Sequence, residues 1–109
     1  MVLSSPFGGQ TRTRALVALR LLEESYAREL ARVLSAPLSG VQMALRGLER
    51  DGLVAARAAG RTRLFRLNPQ YFARDELQRY LLRLADAEGT LQDRVVRLRR
   101  RPRRTAKPM

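Results

Sequence analysis

Residues 26–66, YARELARVLSAPLSGVQMALRGLERDGLVAARAAGRTRLFR, decide the fold, because helix, tight turn, helix and hairpin signals follow one another within them. Ala27, Leu30, Ala31 and Leu34 recur at the three- and four-residue intervals of one buried helix face, and Ser25 stands where an N-cap is wanted. Ser35, Ala36 and Pro37 end that helix, since proline disfavours helical backbone in the residue before it and the chain can restart only afterwards. Ser39 is the expected restart cap. A second helix is predicted from there to about Asp51, with Val41, Leu45 and Leu48 inward and Gly52 supplying the left-handed residue that commonly closes a helix. Ser39, Gly40, Gln42, Met43, Arg46 and Arg50 point away from that apolar stripe.

Two helices joined in this way form the helix-turn-helix, whose second helix presents its N-terminal, outward residues to base edges in the DNA major groove. Ser39, Gly40, Gln42, Met43 and Arg46 are therefore the candidate base contacts, Gln42 first. The competing reading of Gln42 and Arg46 is a plain solvated helix face. Met43 suits either a thymine methyl group or a flexible filler beside the turn. Leu53–Arg57 and Thr62–Leu67 are short strand candidates around Ala58-Ala59-Gly60-Arg61, where Gly60 permits the positive backbone angle of a hairpin turn. Arg57, Arg61 and Arg63 on that hairpin are candidates for clamping phosphates or entering the minor groove. Tyr26 is expected to add one short strand.

Three phrases carry a family resemblance: Tyr26-Ala27-Arg28-Glu29-Leu30-Ala31, Leu45-Arg46-Gly47-Leu48-Glu49-Arg50-Asp51-Gly52-Leu53-Val54 and Gly60-Arg61-Thr62-Arg63-Leu64-Phe65-Arg66-Leu67-Asn68-Pro69. With Phe7–Arg14 leading into Ala15–Leu19, residues 6–86 resemble the small bacterial and archaeal winged helix-turn-helix regulators of the ArsR-like group. The resemblance implies a mainly α, α+β fold: an opening helix over Thr11–Leu22, the helix pair, a wing of two to three strands and a C-terminal dimerisation helix or helix pair. It also implies a transcriptional repressor bound to double-stranded DNA. The metal-sensing members bind their inducer through cysteine and histidine clusters, and this chain has neither residue. The ten acidic residues are scattered among arginines without a hard-cation loop pattern, so no metal and no cofactor are expected. The same absence removes histidine general bases and Cys-His or Ser-His nucleophiles, and Gly8-Gly9 lacks the spacing of a phosphate-cradling loop. An enzyme is not expected.

The length of 109 residues and mass of 12.4 kDa suit one compact domain with a modest core. No apolar run approaches the ~18 residues of a membrane span and no export leader opens the chain, so a cytoplasmic protein without membrane contact is expected. Net charge is +12, and the run from Arg94 to Met109 supplies +8 of it with no acidic residue. Pro102 and Pro108 stop a helix beyond about Arg101, so residues 102–109 read as a disordered basic tail. Arg99, Arg100, Arg101, Arg103 and Arg104 are candidate phosphate contacts, with a merely solvated tail as the alternative. Arg28, Arg32, Arg74, Arg79 and Arg83 lie near Glu29, Asp75 and Glu76 and read as salt-bridged solvent faces.

After Pro69, Leu77, Leu81, Leu84, Leu91, Val95 and Leu98 follow four-and-three spacing, a near-heptad seam. Gly89 and Thr90 weaken helix there, so either one helix bends or two meet at a turn. A chain this short leaves little core for the end of the seam, which makes those six residues the expected homodimer interface, with packing inside a monomer that binds DNA weakly as the alternative. The division expected is 6–69 for the DNA-binding domain, 70–101 for dimerisation and 102–109 for the tail. Core positions are Leu16, Leu19, Leu30, Leu34, Val41, Leu45, Leu48, Leu64 and Leu67. The function expected is sequence-specific duplex DNA binding by a dimeric repressor. The alternative is a winged-helix interaction or architectural module with non-specific nucleic-acid binding through its tail. No residue pattern announces a small-molecule effector.

Overall fold

Residues 7–87 and 89–100 are described by a computed structural model. Helix α1 (Gln10–Leu22) carries an unbroken buried run, Ala15 to Leu19, because it lies at the centre of the molecule with helices on several sides. Strand β1 (Ser25–Tyr26) leads directly into α2 (Ala27–Leu34), and α3 (Leu38–Arg50) follows after a three-residue turn. The hairpin β2 (Val54–Ala59) and β3 (Thr62–Leu67) comes next, then α4 (Arg74–Ala87) and α5 (Gly89–Arg100).

The helix-turn-helix stands where the spacing placed it, with different caps. Ser25 is a strand residue, and its hydroxyl donates to the Glu29 carboxylate at 2.6 Å instead of capping α2. Ser35 closes α2 in the left-handed conformation (φ 51°), and the Ala36 N–H reaches back to the Ala31 carbonyl at 3.0 Å. Pro37 holds extended backbone and its carbonyl accepts the first α3 bond, from Val41 N–H at 3.1 Å, so α3 starts one residue before Ser39. Ser39 and Gly40 thus lie in the first turn of α3, and Ser39 is not its cap. Val41, Leu45 and Leu48 face the core as expected. Gly47 has a separate purpose: the Arg12 side chain lies across it, and a Cβ there would collide with the guanidinium.

The sheet has three strands in the order β1-β3-β2, all antiparallel. Strand β3 has the expected bounds, while β2 starts one residue later and runs two residues further than the sequence suggested, leaving a two-residue turn of Gly60 (φ 64°) and Arg61. Phe65, not Leu64, is the buried position of β3, while Leu64 and Leu67 are only half-buried. Leu64 pairs with Tyr26 and Arg57 on the opposite face of the strand from Phe65.

Much of the C-terminal seam, expected as a dimer interface, is covered within the chain. Two helices form, and α5 folds back against α1, α2 and α4. Leu91 is 0% and Val95 5% exposed, Leu77 and Leu81 are buried beside them, and Leu84 and Leu98 pack against the same cluster. One core therefore runs from Ala15 through the helix-turn-helix to Val95. Each fully buried leucine in it contributes about 1.5–3 kcal/mol relative to exposure. The predicted disorder of 102–109 and the contacts predicted at Arg101, Arg103 and Arg104 lie outside the described residues, as do the side chains of Arg99 and Arg100 at the end of α5.

Candidate nucleic-acid interface

Between α3 and the wing runs an open groove of about 700 Å³. Gln42, Arg46 and Glu49 line it from α3 at the i, i+4, i+7 spacing of a single helix face. Arg61, Thr62, Arg63 and Phe65 line it from the wing, and Tyr26, Ala27 and Arg28 from the start of α2. Four guanidinium groups, on Arg28, Arg46, Arg61 and Arg63, thus face one carboxylate, that of Glu49. The helix pair and the wing have to fold together to bring them there.

The candidate base contacts occupy the exposed side of α3. Ser39, Gly40, Gln42, Met43 and Arg46 are all exposed, and of these Gln42 and Arg46 line the groove. Met43 is 68% exposed, so it is not a filler beside the turn. Its apolar end is free to meet another molecule.

The three wing arginines have different surroundings. Arg61 sits at the hairpin tip and, among the described residues, makes no hydrogen bond or ion pair. Arg63 shares its strand face with Phe65, lies 5.9 Å over that ring and donates to Glu49 at 2.7 Å. Arg57 belongs to the other face, where it grips Glu24 with two hydrogen bonds of 2.9 and 3.0 Å. Those bonds, with the positive field of Arg57 and Arg66, hold the Glu24 carboxyl below its usual range against a partial desolvation that opposes them. The Arg57 guanidinium is correspondingly raised. Strand alternation explains the difference: a residue at an even position of β2 shares a face with the Phe65 side of β3, and Arg57 is odd. Arg57 is not among the residues that line the groove.

Arg28 was missed. The sequence put it on a salt-bridged face with Glu29, but Glu29 is 4% exposed and bonded to Ser25, so it offers Arg28 nothing. Arg28 remains exposed and, among the described residues, unpaired. A cation in the first turn of a helix opposes the helix dipole unless an anion arrives there, and that mismatch was visible in the sequence. The N-cap residue of α2, Tyr26, makes no side-chain capping bond, and Arg28 stands in the first turn that follows. Glu49 was also missed, because its partner Arg63 stands fourteen residues away.

No family model and no curated protein matches this chain. Solved structures do. The transcriptional regulator HlyU from Vibrio vulnificus matches at 25% identity and TM-score 0.61, over 74% of this chain and 78% of its own. Reduced HlyU from Vibrio cholerae matches at 23% identity and TM-score 0.59, over 74% and 79%. The homodimeric winged helix-turn-helix DNA-binding domain of Mb0332 from Mycobacterium bovis, a possible ArsR-family transcriptional regulator, matches at 20% identity and TM-score 0.55, over 74% and 69%. Helix-turn-helix, hairpin wing and C-terminal helices are the architecture seen here. The chain has the winged helix-turn-helix fold.

Proposed function

We propose that this chain is a transcriptional regulator that reads duplex DNA, acting in the cytoplasm as a homodimeric repressor that blocks a promoter from its operator. The groove between α3 and the wing carries the reading. It collects four arginines from three elements, three of them without an internal partner among the described residues. Helix α3 enters the major groove with Ser39, Gly40, Gln42 and Met43 foremost, its exposed N-terminal side. Arg28 and the uncapped start of α2 take a backbone phosphate, Arg46 lies between base edge and backbone, and Arg61 reaches the adjacent minor groove from the wing tip. The tail adds phosphate contacts at no fixed sequence.

Homodimerisation is supported by the assembly of the Mycobacterium bovis domain and by the apolar side chains left on the outer faces of α4 and α5, Leu82 and Val96. Two-fold symmetry would then set two α3 helices ~10 base pairs apart or a multiple of that. Neither a metal nor a cofactor is required, and the protein binds rather than catalyses.

Fluorescence anisotropy on the chain's own upstream DNA and on a scrambled duplex of equal length, at near-physiological salt, tests this. A preference of about a thousandfold or more is expected for an operator reader. Equal affinity for both duplexes, falling steeply with salt, would overturn it in favour of an architectural role.

A further inference from the structure

One carboxylate in a groove built to meet phosphates is the anomaly of this surface. Glu49 lies on the same face of α3 as Gln42 and Arg46, about 10 Å along the axis from Gln42 towards the C-terminal end of the helix. Its oxygen accepts from Arg63 at 2.7 Å, while the Phe65 ring supports the guanidinium from below. The pair is only partly exposed on the Glu49 side, 34%, so the carboxylate is aimed at Arg63 and the groove rather than at open water. Arg63 therefore enters the groove already neutralised, while Arg28, Arg46 and Arg61 do not.

We propose that Glu49 is a brake on sequence-independent DNA binding: it cancels the charge of Arg63 and so holds down the affinity of the groove for any phosphate backbone. The proposal rests on the DNA-binding reading above. The physical need for it is the charge of the chain. Phosphate contact releases counterions whatever the sequence, and the chain keeps net +12 with Glu49 already counted, so one more uncompensated guanidinium in the groove adds to its affinity for any duplex. A neutral Arg63–Glu49 pair releases none, yet Arg63 donates to Glu49 through one terminal nitrogen only, leaving its other donors free to orient on a seated backbone. Glu49 acts through Arg63 and is a positioning residue.

Glu49→Gln keeps the shape and removes the charge, so anisotropy titrations of wild type and variant on the scrambled duplex, across a series of salt concentrations, read the brake directly. The variant is expected to bind the scrambled duplex about 1.4- to fivefold more tightly, the range of one exposed pair. The plot of log affinity against log salt is expected to steepen by about 0.9, one extra phosphate neutralised. Glu49→Asp should keep the wild-type slope, and adding Arg63→Ala to Glu49→Gln should restore it. Thermal melting of each variant checks that all are folded. An unchanged or flatter slope for Glu49→Gln would overturn the proposal. So would weaker binding to both duplexes, or weaker binding to the upstream DNA alone, which would make Glu49 a base contact. If the wild type binds neither duplex, the DNA-binding reading itself has failed; if it binds both and the variant matches it, only the brake has.

Discussion

Arginines on the groove side and arginines on the α1 side of this protein share a chemistry and meet opposite fates. In the groove, Arg28, Arg46 and Arg61 keep their donors free among the described residues. Around α1 they are used up internally: Arg14 donates to the Leu34 carbonyl and Arg94 of α5 to the Val33 carbonyl, both at 3.1 Å. Those carbonyls belong to the last turn of α2, which has no helical partner for them, and a cation there also complements the helix dipole. Arg12 ties α1 to the end of α3 through Asp51 at 3.1 Å. One set of arginines fixes the helix-turn-helix in place so that the other set can be presented. Counting basic residues does not separate the two sets.

The comparison breaks first if the C-terminal pair is a dimer interface rather than part of the chain's own core. Leu91→Ala should lower stability by about 2–5 kcal/mol, a full core truncation, while the self-association constant measured by analytical ultracentrifugation stays unchanged. Self-association weakened in a variant that remains folded would mean that Leu91 is covered by a second copy. Next, Arg94→Met should cost about 1–2 kcal/mol by stripping the Val33 carbonyl of its donor, and should leave the salt slope of DNA binding unaltered. Arg28→Ala and Arg61→Ala should do the reverse: each flattens that slope by about 0.9 while chemical denaturation moves by less than about 0.5 kcal/mol. If either variant unfolds the protein instead, it belongs with the internal set.

The smallest effect is expected at Arg57, which lies on the wing but not in the groove. Arg57→Ala should leave the salt slope unchanged. The folded-state pKa of Glu24 is depressed by Arg57, so the stabilisation from their pair is present above the unfolded carboxylate pKa and fades as pH falls through the folded one. In Arg57→Ala the Glu24 carboxyl should titrate higher, towards its ordinary value, in an NMR pH series. A Glu24 titration unmoved by the substitution would show that the pair does not form in solution.

Helix α3, the Pro37 turn and the Gly60 hairpin were legible in the sequence because each rests on spacing within a few residues: apolar positions on one helix face, a proline that bars the preceding helix, a glycine that accepts positive φ. The caps were not. Ser25 and Ser39 have the right chemistry for capping, yet β1 pairing with β3 takes Ser25 into the sheet and Pro37 starts α3 before Ser39 is reached. The exposed side of α3 was legible for the same local reason, whereas the surroundings of Arg28, Glu49 and Arg57 were not, since each depends on a neighbour from another element.

Composition and periodicity were enough to establish the winged helix-turn-helix class, the exposed face of α3 and the lack of thiolate or imidazole ligands, because these follow from residue identity and from the repeat of a helix or strand. The free and bound arginines, the neutral pair inside the groove and the burial of Leu91 and Val95 came from packing. A heptad-like seam has the same spacing whether its apolar face meets a second copy or the first helix of its own chain. Long-range folding of α5 onto α1 and α2 chose between them.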